Sequence, residues 1–245
     1  MIRRIAAITL VLMFASAATT ASAQFPTLGL NEPPAPLVRE AFASPYGRAL
    51  TAELGRALRA GADPACLSTK GIAADRLEPR GEALLIKWGT QATEMAMTLI
   101  NFEAYEKAFP ANSELKGLRE QPEIKRYLEL ERPIRLARAL DFIFEQFDRY
   151  VLLKRMKIAS VSLASTGKDD LVDANPTEAA EDAVDAFIAA HKSPPMERFL
   201  ALSEQAAEAM QGAVNTEQVL RIGPTTFYRG LDLDLAELCI VPANK

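Results

Sequence analysis

Two apolar stripes with helical spacing constrain the fold of this chain more than any other feature. Apolar residues recur at intervals of three and four in both, and the first stripe is Leu85, Trp88, Ala92, Met95, Leu99 and Phe102. The second stripe is Leu136, Leu140, Ile143, Phe147 and Tyr150. Such intervals place every member of a stripe on one face of an α-helix. We therefore predict two long amphipathic helices, over residues 80–109 and 133–165, at the centre of an all-α fold.

Proline, glycine and capping residues divide the rest of the chain into shorter helices. Residues 61–80 and 166–174 have the turn-rich or polar composition of connections, and Pro133 is expected to kink or break a helix that begins at Pro122. The other predicted helices cover residues 37–60, about 112–120, about 176–191, 193–211 and a short stretch after Asn215. The pattern predicts six or seven helices in one irregular bundle without a significant sheet.

The two ends of the chain differ from this helical pattern. Residues 24–36 contain Pro26, Pro33, Pro34 and Pro36, which predict an extended lead-in. The tail, residues 225–245, is predicted to be a short helix or an extended packing segment. Residues 37–245 are thus expected to form a single helical domain.

Two predicted helix starts have similar short sequences. Ala41-Phe-Ala-Ser-Pro resembles Ala190-His-Lys-Ser-Pro at a separation of 149 residues. Shared capping chemistry explains the match, because Ser followed by Pro favours a helix start in both places. A true duplication is the alternative.

The amino-terminal residues have the pattern of a secretory signal peptide. Arg3 and Arg4 precede an apolar run over residues 5–18, and Ala21-Ser22-Ala23 supplies small residues before a cleavage site. The run is shorter than the ~20 apolar residues that a lasting membrane span needs. We therefore expect cleavage between Ala23 and Gln24, and a periplasmic or extracellular protein with no stable membrane span.

Two cysteines, Cys66 and Cys239, follow the predicted cleavage site. An even number of cysteines in an oxidising compartment predicts a disulfide, here Cys66 to Cys239. Two unrelated buried thiols are the alternative. The spacing excludes a CxxC redox centre.

The charge balance disfavours nucleic acid and anionic lipid as partners. The full chain has 28 Lys plus Arg and 32 Asp plus Glu, a net charge of −4. Loss of Arg3 and Arg4 with the leader removes two positive charges, which makes the mature chain −6. Nucleic acids and anionic lipids bind mainly to basic surfaces. A protein or a small apolar molecule of the cell envelope is the expected partner.

His191 is the only histidine, so any Ser-His-Asp or Cys-His system would have to use it. It lies at a predicted helix end, where histidine commonly acts as a solvated cap partner. A single histidine also disfavours a zinc site. We predict no cofactor.

Three carboxylates on the second long helix form the best acidic cluster. Asp141, Glu145 and Asp148 share one face by their spacings of four and three. A solvated face opposite the apolar stripe is the ordinary interpretation, and a divalent-cation or acid/base site is the alternative. Asp169, Asp170 and Asp173 form a second acidic group, whose spacing does not match an EF-hand loop.

Glu94 is the other candidate general acid. It precedes Met95 of the first stripe, and Thr90 and Thr98 lie four residues away on either side. Small polar neighbours of this kind can line a groove around a carboxylate. The polar edge of an amphipathic helix is the simpler interpretation.

These observations support three classes of function. The leading one is a non-catalytic envelope protein that binds a protein or a small apolar partner in a groove between helices. The second is a carboxylate-dependent hydrolase of cell-wall glycan, with Glu94 or Glu145 as the acid. The third is a structural or chaperone-like accessory factor. A pocket that holds a carboxylate of raised pKa would favour the hydrolase, whereas an exposed apolar patch would favour either of the others.

Overall fold

A computed structural model describes residues 34–154, 156–158, 175–214 and 227–242. This part of the chain is mostly helical and contains no sheet, which confirms the all-α prediction. It holds ten α-helices rather than six or seven: α1 (Pro34–Ala43), α2 (Pro45–Gly61), α3 (Pro64–Thr69), α4 (Leu77–Thr98), α5 (Phe102–Ala108), α6 (Asn112–Leu118), α7 (Pro122–Lys154), α8 (Thr177–Ala190), α9 (Pro194–Gly212) and α10 (Phe227–Glu237). A short 3₁₀ helix, Ala74–Arg76, precedes α4.

Side-chain caps account for much of the difference in helix count. Ser44 ends α1 and caps α2, where its hydroxyl accepts a hydrogen bond from the Gly47 amide at 3.0 Å. Asp63 caps α3 in the same way through the Ala65 amide, inside a stretch that was predicted to be a connection. Ser193 caps α9, so the two similar Ser-Pro sequences correspond to the capped starts of α2 and α9. Helix α6, in contrast, begins after Ala111 without a side-chain cap.

The predicted helix over residues 80–109 is two helices. The backbone of Ile100 forms an isolated β-bridge with Val214, which interrupts the helix after Thr98. Asn101 then caps α5, with its side-chain oxygen accepting from the Ala104 amide at 3.1 Å. Leu85, Trp88 and Ala92 of the first stripe are buried as predicted, whereas Phe102 is 46% exposed because it belongs to the next helix.

Helix α7 is continuous through Pro133, so the predicted break is wrong. A proline inside a helix costs about 3 kcal/mol or more, and packing of the helix on both sides of Pro133 offsets this cost. The helix ends at Lys154, not near residue 165, because Met156 lies outside the helix in an isolated bridge with Pro242. All five members of the second stripe are buried, as predicted.

The ends of the described chain pack against the helices. Pro34 and Pro36 lie in the first turn of α1, which corrects the predicted extended lead-in for residues 34–36; residues 24–33 lie outside the described ranges. Helix α10 buries Leu231 and Leu235 and exposes Leu233. The short helix predicted after Asn215 falls on residues that the structure does not describe.

A disulfide between Cys66 and Cys239 holds the tail, as predicted, with the two Cα atoms 5.7 Å apart. The Asp63 amide also donates to the Cys239 carbonyl at 2.9 Å. Closing a loop with a sequence separation of 173 removes unfolded-state entropy worth about 5 kcal/mol in the chain-entropy model, which is an upper value. Within the described ranges, no helix combines the length and the apolar character needed to cross a bilayer.

The buried side chains form two clusters, and α7 contributes to both. The first cluster combines α1, α2, α4 and α10 with the carboxyl-terminal half of α7, including Leu140, Ile143 and Phe147. The second combines α5, α6, α8 and α9 with the amino-terminal half, including Ile124, Tyr127 and Ile134. The predicted long helices meet through the edge-to-face rings of Trp88 and Phe147, whose centroids are 5.8 Å apart, while α1 packs against both of them.

We expect Gly47→Ala to destabilise the protein strongly. A Cβ atom at Gly47 would lie 2.2 Å from the Ala41 carbonyl oxygen and 2.7 Å from the Phe42 Cα, both of which are backbone atoms of α1. Relieving such a clash costs roughly 1–3 kcal/mol or more, which lowers the Tm of a domain of this size by roughly 5 °C.

Gly117→Ala is the matched control. No described atom lies within 4 Å of a Cβ at Gly117 in α6, so alanine should raise helix stability by up to ~1 kcal/mol. Thermal melts of both variants test the prediction, and equal Tm values would contradict the close approach of α1 and α2.

Candidate functional site

A cavity of about 260 Å³ lies in the second cluster, between four helices. Its lining comes from α5, from α6 and the residue that follows it, from the amino-terminal half of α7, and from α9. The lining residues are Phe102, Tyr105, Glu106, Asn112, Leu115, Lys116, Arg119, Tyr127, Leu128, Glu131, Arg135, Phe199, Ser203, Ala206, Ala207 and Met210.

Helix α9 leaves the space that becomes the cavity. On the face of α9 that lines the cavity, Phe199 and Met210 are buried, and the lining residues between them are the small Ser203, Ala206 and Ala207. Small side chains at helical spacing do not fill the gap to α5 and α6. Two polar contacts fix the amino-terminal end of α9. Ser193 donates to Glu123 of α7 at 2.7 Å, and Arg198 forms a bidentate pair with Glu114 of α6 at 2.7 and 2.8 Å.

Two buried hydroxyl groups of the cavity lining have no hydrogen-bond partner among the described residues, those of Tyr105 and Ser203. Tyr105 is only 2% exposed. Burial raises the pKa of Tyr105, so its hydroxyl keeps its proton and remains a donor at neutral pH. A buried hydroxyl without a partner costs about 1–3 kcal/mol. The Tyr105 hydroxyl is therefore a group that a bound molecule would satisfy.

A fixed charge pair lies on the α7 wall of the cavity. Arg135 is 9% exposed, donates to the Leu128 carbonyl oxygen at 3.2 Å and lies with its Nε 3.7 Å from Glu131 Oε2. Burial raises the pKa of Glu131, and the charges of Arg135, Arg138 and Arg119 oppose that rise. Desolvation thus outweighs the attraction of the neighbouring guanidinium groups.

The charges that line the cavity sum to a small positive value. Lys116, Arg119 and Arg135 contribute three positive charges, and Glu106 and Glu131 contribute two negative charges when both are ionised. The excess is one positive charge, in a chain whose net charge is −4. The cavity is therefore locally favourable for an anion.

None of the candidate acids from the sequence lines this cavity. Glu94 is exposed on α4, and Glu145 is half-buried on the other half of α7. Asp141 accepts a hydrogen bond from the Tyr46 hydroxyl at 2.7 Å and does not line the cavity. Desolvation raises the pKa of Asp141 although part of the residue faces solvent; the Tyr46 hydrogen bond opposes this rise.

The candidate metal ligands are not gathered into a site. Within the described ranges, no group of three His, Cys, Asp or Glu side chains is placed to hold a metal ion. Asp141, Glu145 and Asp148 lie in these ranges and therefore do not form such a group. The loop carboxylates Asp169, Asp170 and Asp173 lie outside the described residues.

His191 is exposed at the end of α8. Its Nδ1 lies 3.0 Å from the Phe187 carbonyl oxygen, and its ring stacks on that of Phe187 with the centroids 4.0 Å apart. This geometry is that of a capping residue in contact with solvent.

Sequence patterns did not indicate the residues of the cavity. Glu131 and Arg135 have the spacing of an ordinary surface ion pair on a helix. Tyr105 lies inside the predicted helix over residues 80–109, so the pattern did not separate it from the rest of that helix. The one available signal was the run of small residues on the inner face of α9, which also fits close helix packing.

No family model, curated protein or solved structure matches the chain.

We expect Glu131→Gln to be at least as stable as the wild type at pH 7. The folded-state pKa of Glu131 lies above its ordinary value of 4.5, so the ionised carboxylate destabilises the folded protein above that pKa. Below pH 4.5 the group is protonated in both the folded and the unfolded states. The advantage of the variant should therefore shrink as the pH falls from 7 to below 4.5, as measured by Tm.

Glu129→Gln serves as the control on the same helix. Glu129 is exposed and pairs with Arg126 at 2.9 Å, so its loss should change the free energy of unfolding by less than about 0.5 kcal/mol. If Glu131→Gln is less stable than wild type at pH 7, attraction to the arginines outweighs desolvation.

Proposed function

We propose that this protein is a non-catalytic binding protein that takes a small, largely apolar molecule into the cavity between α5, α6, α7 and α9. The buried Tyr105 hydroxyl carries the proposal, since it lines the cavity and has no hydrogen-bond partner among the described residues. Apolar walls with a few convergent polar groups are typical of small-molecule sites. In this cavity, Leu115, Phe199 and Met210 belong to the apolar walls, and the Tyr105 hydroxyl is one of the polar groups.

The size of the cavity limits the ligand. Ligand pockets commonly measure about 300–1,000 Å³, and the 260 Å³ here lies just below that range. A molecule with one ring and a short chain fits such a volume, whereas a polymer would extend far beyond it. Phe102 both lines the cavity and is exposed, so it marks the side where the cavity meets solvent.

A carboxylate-dependent glycan hydrolase is the second candidate function. One observation favours it, because Glu131 is a cavity carboxylate with a raised pKa, as a general acid requires. Glu131 is therefore the candidate general acid instead of Glu94 and Glu145, because those two residues lie outside the cavity. Two observations count against the hydrolase. Three arginines act to lower the pKa of Glu131, and the small cavity volume suits one sugar ring at most.

A structural or chaperone-like role lacks a comparable observation. Such a role would use exposed apolar surface. The large exposed apolar residues in the described ranges are Phe102 on α5 and, in the carboxyl-terminal segment, Leu233 and Val241. We therefore place this role behind the two cavity-based functions.

The expected site of action is the cell envelope or the medium. The signal-peptide pattern of residues 1–23 supports this location, and so does the Cys66–Cys239 disulfide, since disulfides persist in oxidising compartments.

We expect protein purified from the envelope fraction to begin at Gln24. Its intact mass should lack residues 1–23, and non-reducing peptide mapping should yield one cross-linked pair that contains Cys66 and Cys239. Retention of the leader, or two free thiols in the folded protein, would contradict the proposed location.

We expect Tyr105→Phe to weaken ligand binding about fivefold while leaving the ligand-free protein as stable or more stable. The substitution removes a hydroxyl that has no described partner, and a neutral hydrogen bond to a ligand is worth about 1 kcal/mol. Binding is measured by calorimetry and thermal shift with a panel of one-ring and short-chain alcohols, amides and acids.

Tyr46→Phe is the matched control. Its hydroxyl donates to Asp141 outside the cavity, so this variant should lose stability and keep its affinity for the panel. Ala207→Leu, which fills the cavity, should abolish binding. If no compound binds the wild type, or if Ala207→Leu leaves binding unchanged, the proposed site is wrong; cell-wall lysis that Glu131→Gln abolishes would establish the hydrolase instead.

A further inference from the structure

We propose that the ligand of this cavity is a small organic monocarboxylate, with its apolar body against the cavity walls and its carboxylate beside Arg119, Arg135 and the Tyr105 hydroxyl. The inference rests on the proposed binding function and adds the chemical class of the ligand. Three features of the cavity support it: the sign of its charge, the donors that it buries, and the position of Glu131.

The sign of the local charge selects an anion. The cavity lining has one excess positive charge when Glu106 and Glu131 are ionised, although the chain as a whole is acidic. Arg135 is held in place by the Leu128 carbonyl and by Glu131. A ligand with one negative charge would balance this excess.

The buried donors select an acceptor-rich group. The hydroxyls of Tyr105 and Ser203 line the same cavity and have no partner among the described residues. An ionised carboxylate only accepts hydrogen bonds and offers about four lone-pair positions on two oxygens. It thus has enough acceptor positions for both hydroxyls and for a guanidinium group. A neutral amide offers one acceptor oxygen and brings two donors that these hydroxyls do not require.

When Glu131 is ionised, its charge limits the ligand to a single negative charge. A monocarboxylate would bring the cavity to neutrality, whereas a phosphate dianion would leave an excess negative charge close to the Glu131 carboxylate. Like charges in a partly buried site repel, and burial of the surplus charge adds a desolvation cost. The charge balance therefore favours a carboxylate over a phosphate.

The test compares acids with their uncharged isosteres at fixed ionic strength. Benzoate, phenylacetate and hexanoate are each paired with the corresponding amide, and phenyl phosphate represents a dianion. Isothermal titration calorimetry should show at least one acid that binds about tenfold tighter than its amide, since a hydrogen bond to a charged group is worth about 1.5–3 kcal/mol. Phenyl phosphate should bind more weakly than that acid.

Charge-removing substitutions inside and outside the cavity test whether the preference for acids comes from the cavity charges. Arg119→Gln should bring the acid-to-amide ratio close to one while amide affinity is kept, which shows that the cavity is intact. Arg126→Gln removes the same charge from an exposed position on α7 outside the cavity and should leave the ratio unchanged. Glu131→Gln should tighten acid binding several-fold. If Arg119→Gln fails to fold, Lys116→Gln at the same cavity should lower the ratio partially.

The outcomes separate the two proposals. Equal affinity for acids and amides would overturn the carboxylate inference and leave the binding function in place. Tightest binding of phenyl phosphate would also overturn it, in favour of a phosphorylated ligand. Absence of binding across the whole panel would overturn the proposed function and this inference together.

Discussion

Burial of helix α7 along its whole length is the constraint on which the rest of the structure depends. Its 33 residues extend about 50 Å at 1.5 Å per residue, so no single neighbouring helix covers it. The carboxyl-terminal half is covered by α1, α2 and α4, and the amino-terminal half by α8 and α9. One helix thus connects two apolar clusters, and Met97 at the end of α4 packs against both.

The two clusters are built from different side chains, and the cavity follows from that difference. Large rings meet edge to face in the first cluster, where Phe42 contacts Phe144 and Trp88 contacts Phe147. The disulfide closes this cluster at the tail. In the second cluster, α9 presents Ser203 and two alanines to the lining, and these small side chains leave the cavity unfilled. The cavity therefore lies outside the cluster that contains the disulfide.

Polar contacts between helices place the cavity walls. Arg198 joins α9 to Glu114 of α6, and Ser193 joins α9 to Glu123 of α7. Solvent screens the exposed Arg198–Glu114 pair, so this contact defines the position of α9 more than it stabilises the fold. Arg132 and Glu40 make a similar link between α7 and α1 in the first cluster, and the hydrogen bond from Arg132 lowers the pKa of Glu40.

The sequence by itself determined the all-α class, the buried face from Leu136 to Tyr150, the helix starts at Ser44 and Ser193, and the cysteine pairing. Each of these depends on local periodicity, on capping or on the number of cysteines. Only the tertiary structure decided that helix α4 ends at Thr98 and that α7 continues through Pro133. It also decided that Tyr105, Glu131 and Ser203 line one cavity. These features depend on contacts between distant segments, such as Ile100 with Val214. The spacing of residues along one helix reports which face is buried, but the volume left between helices depends on how far apart their axes lie.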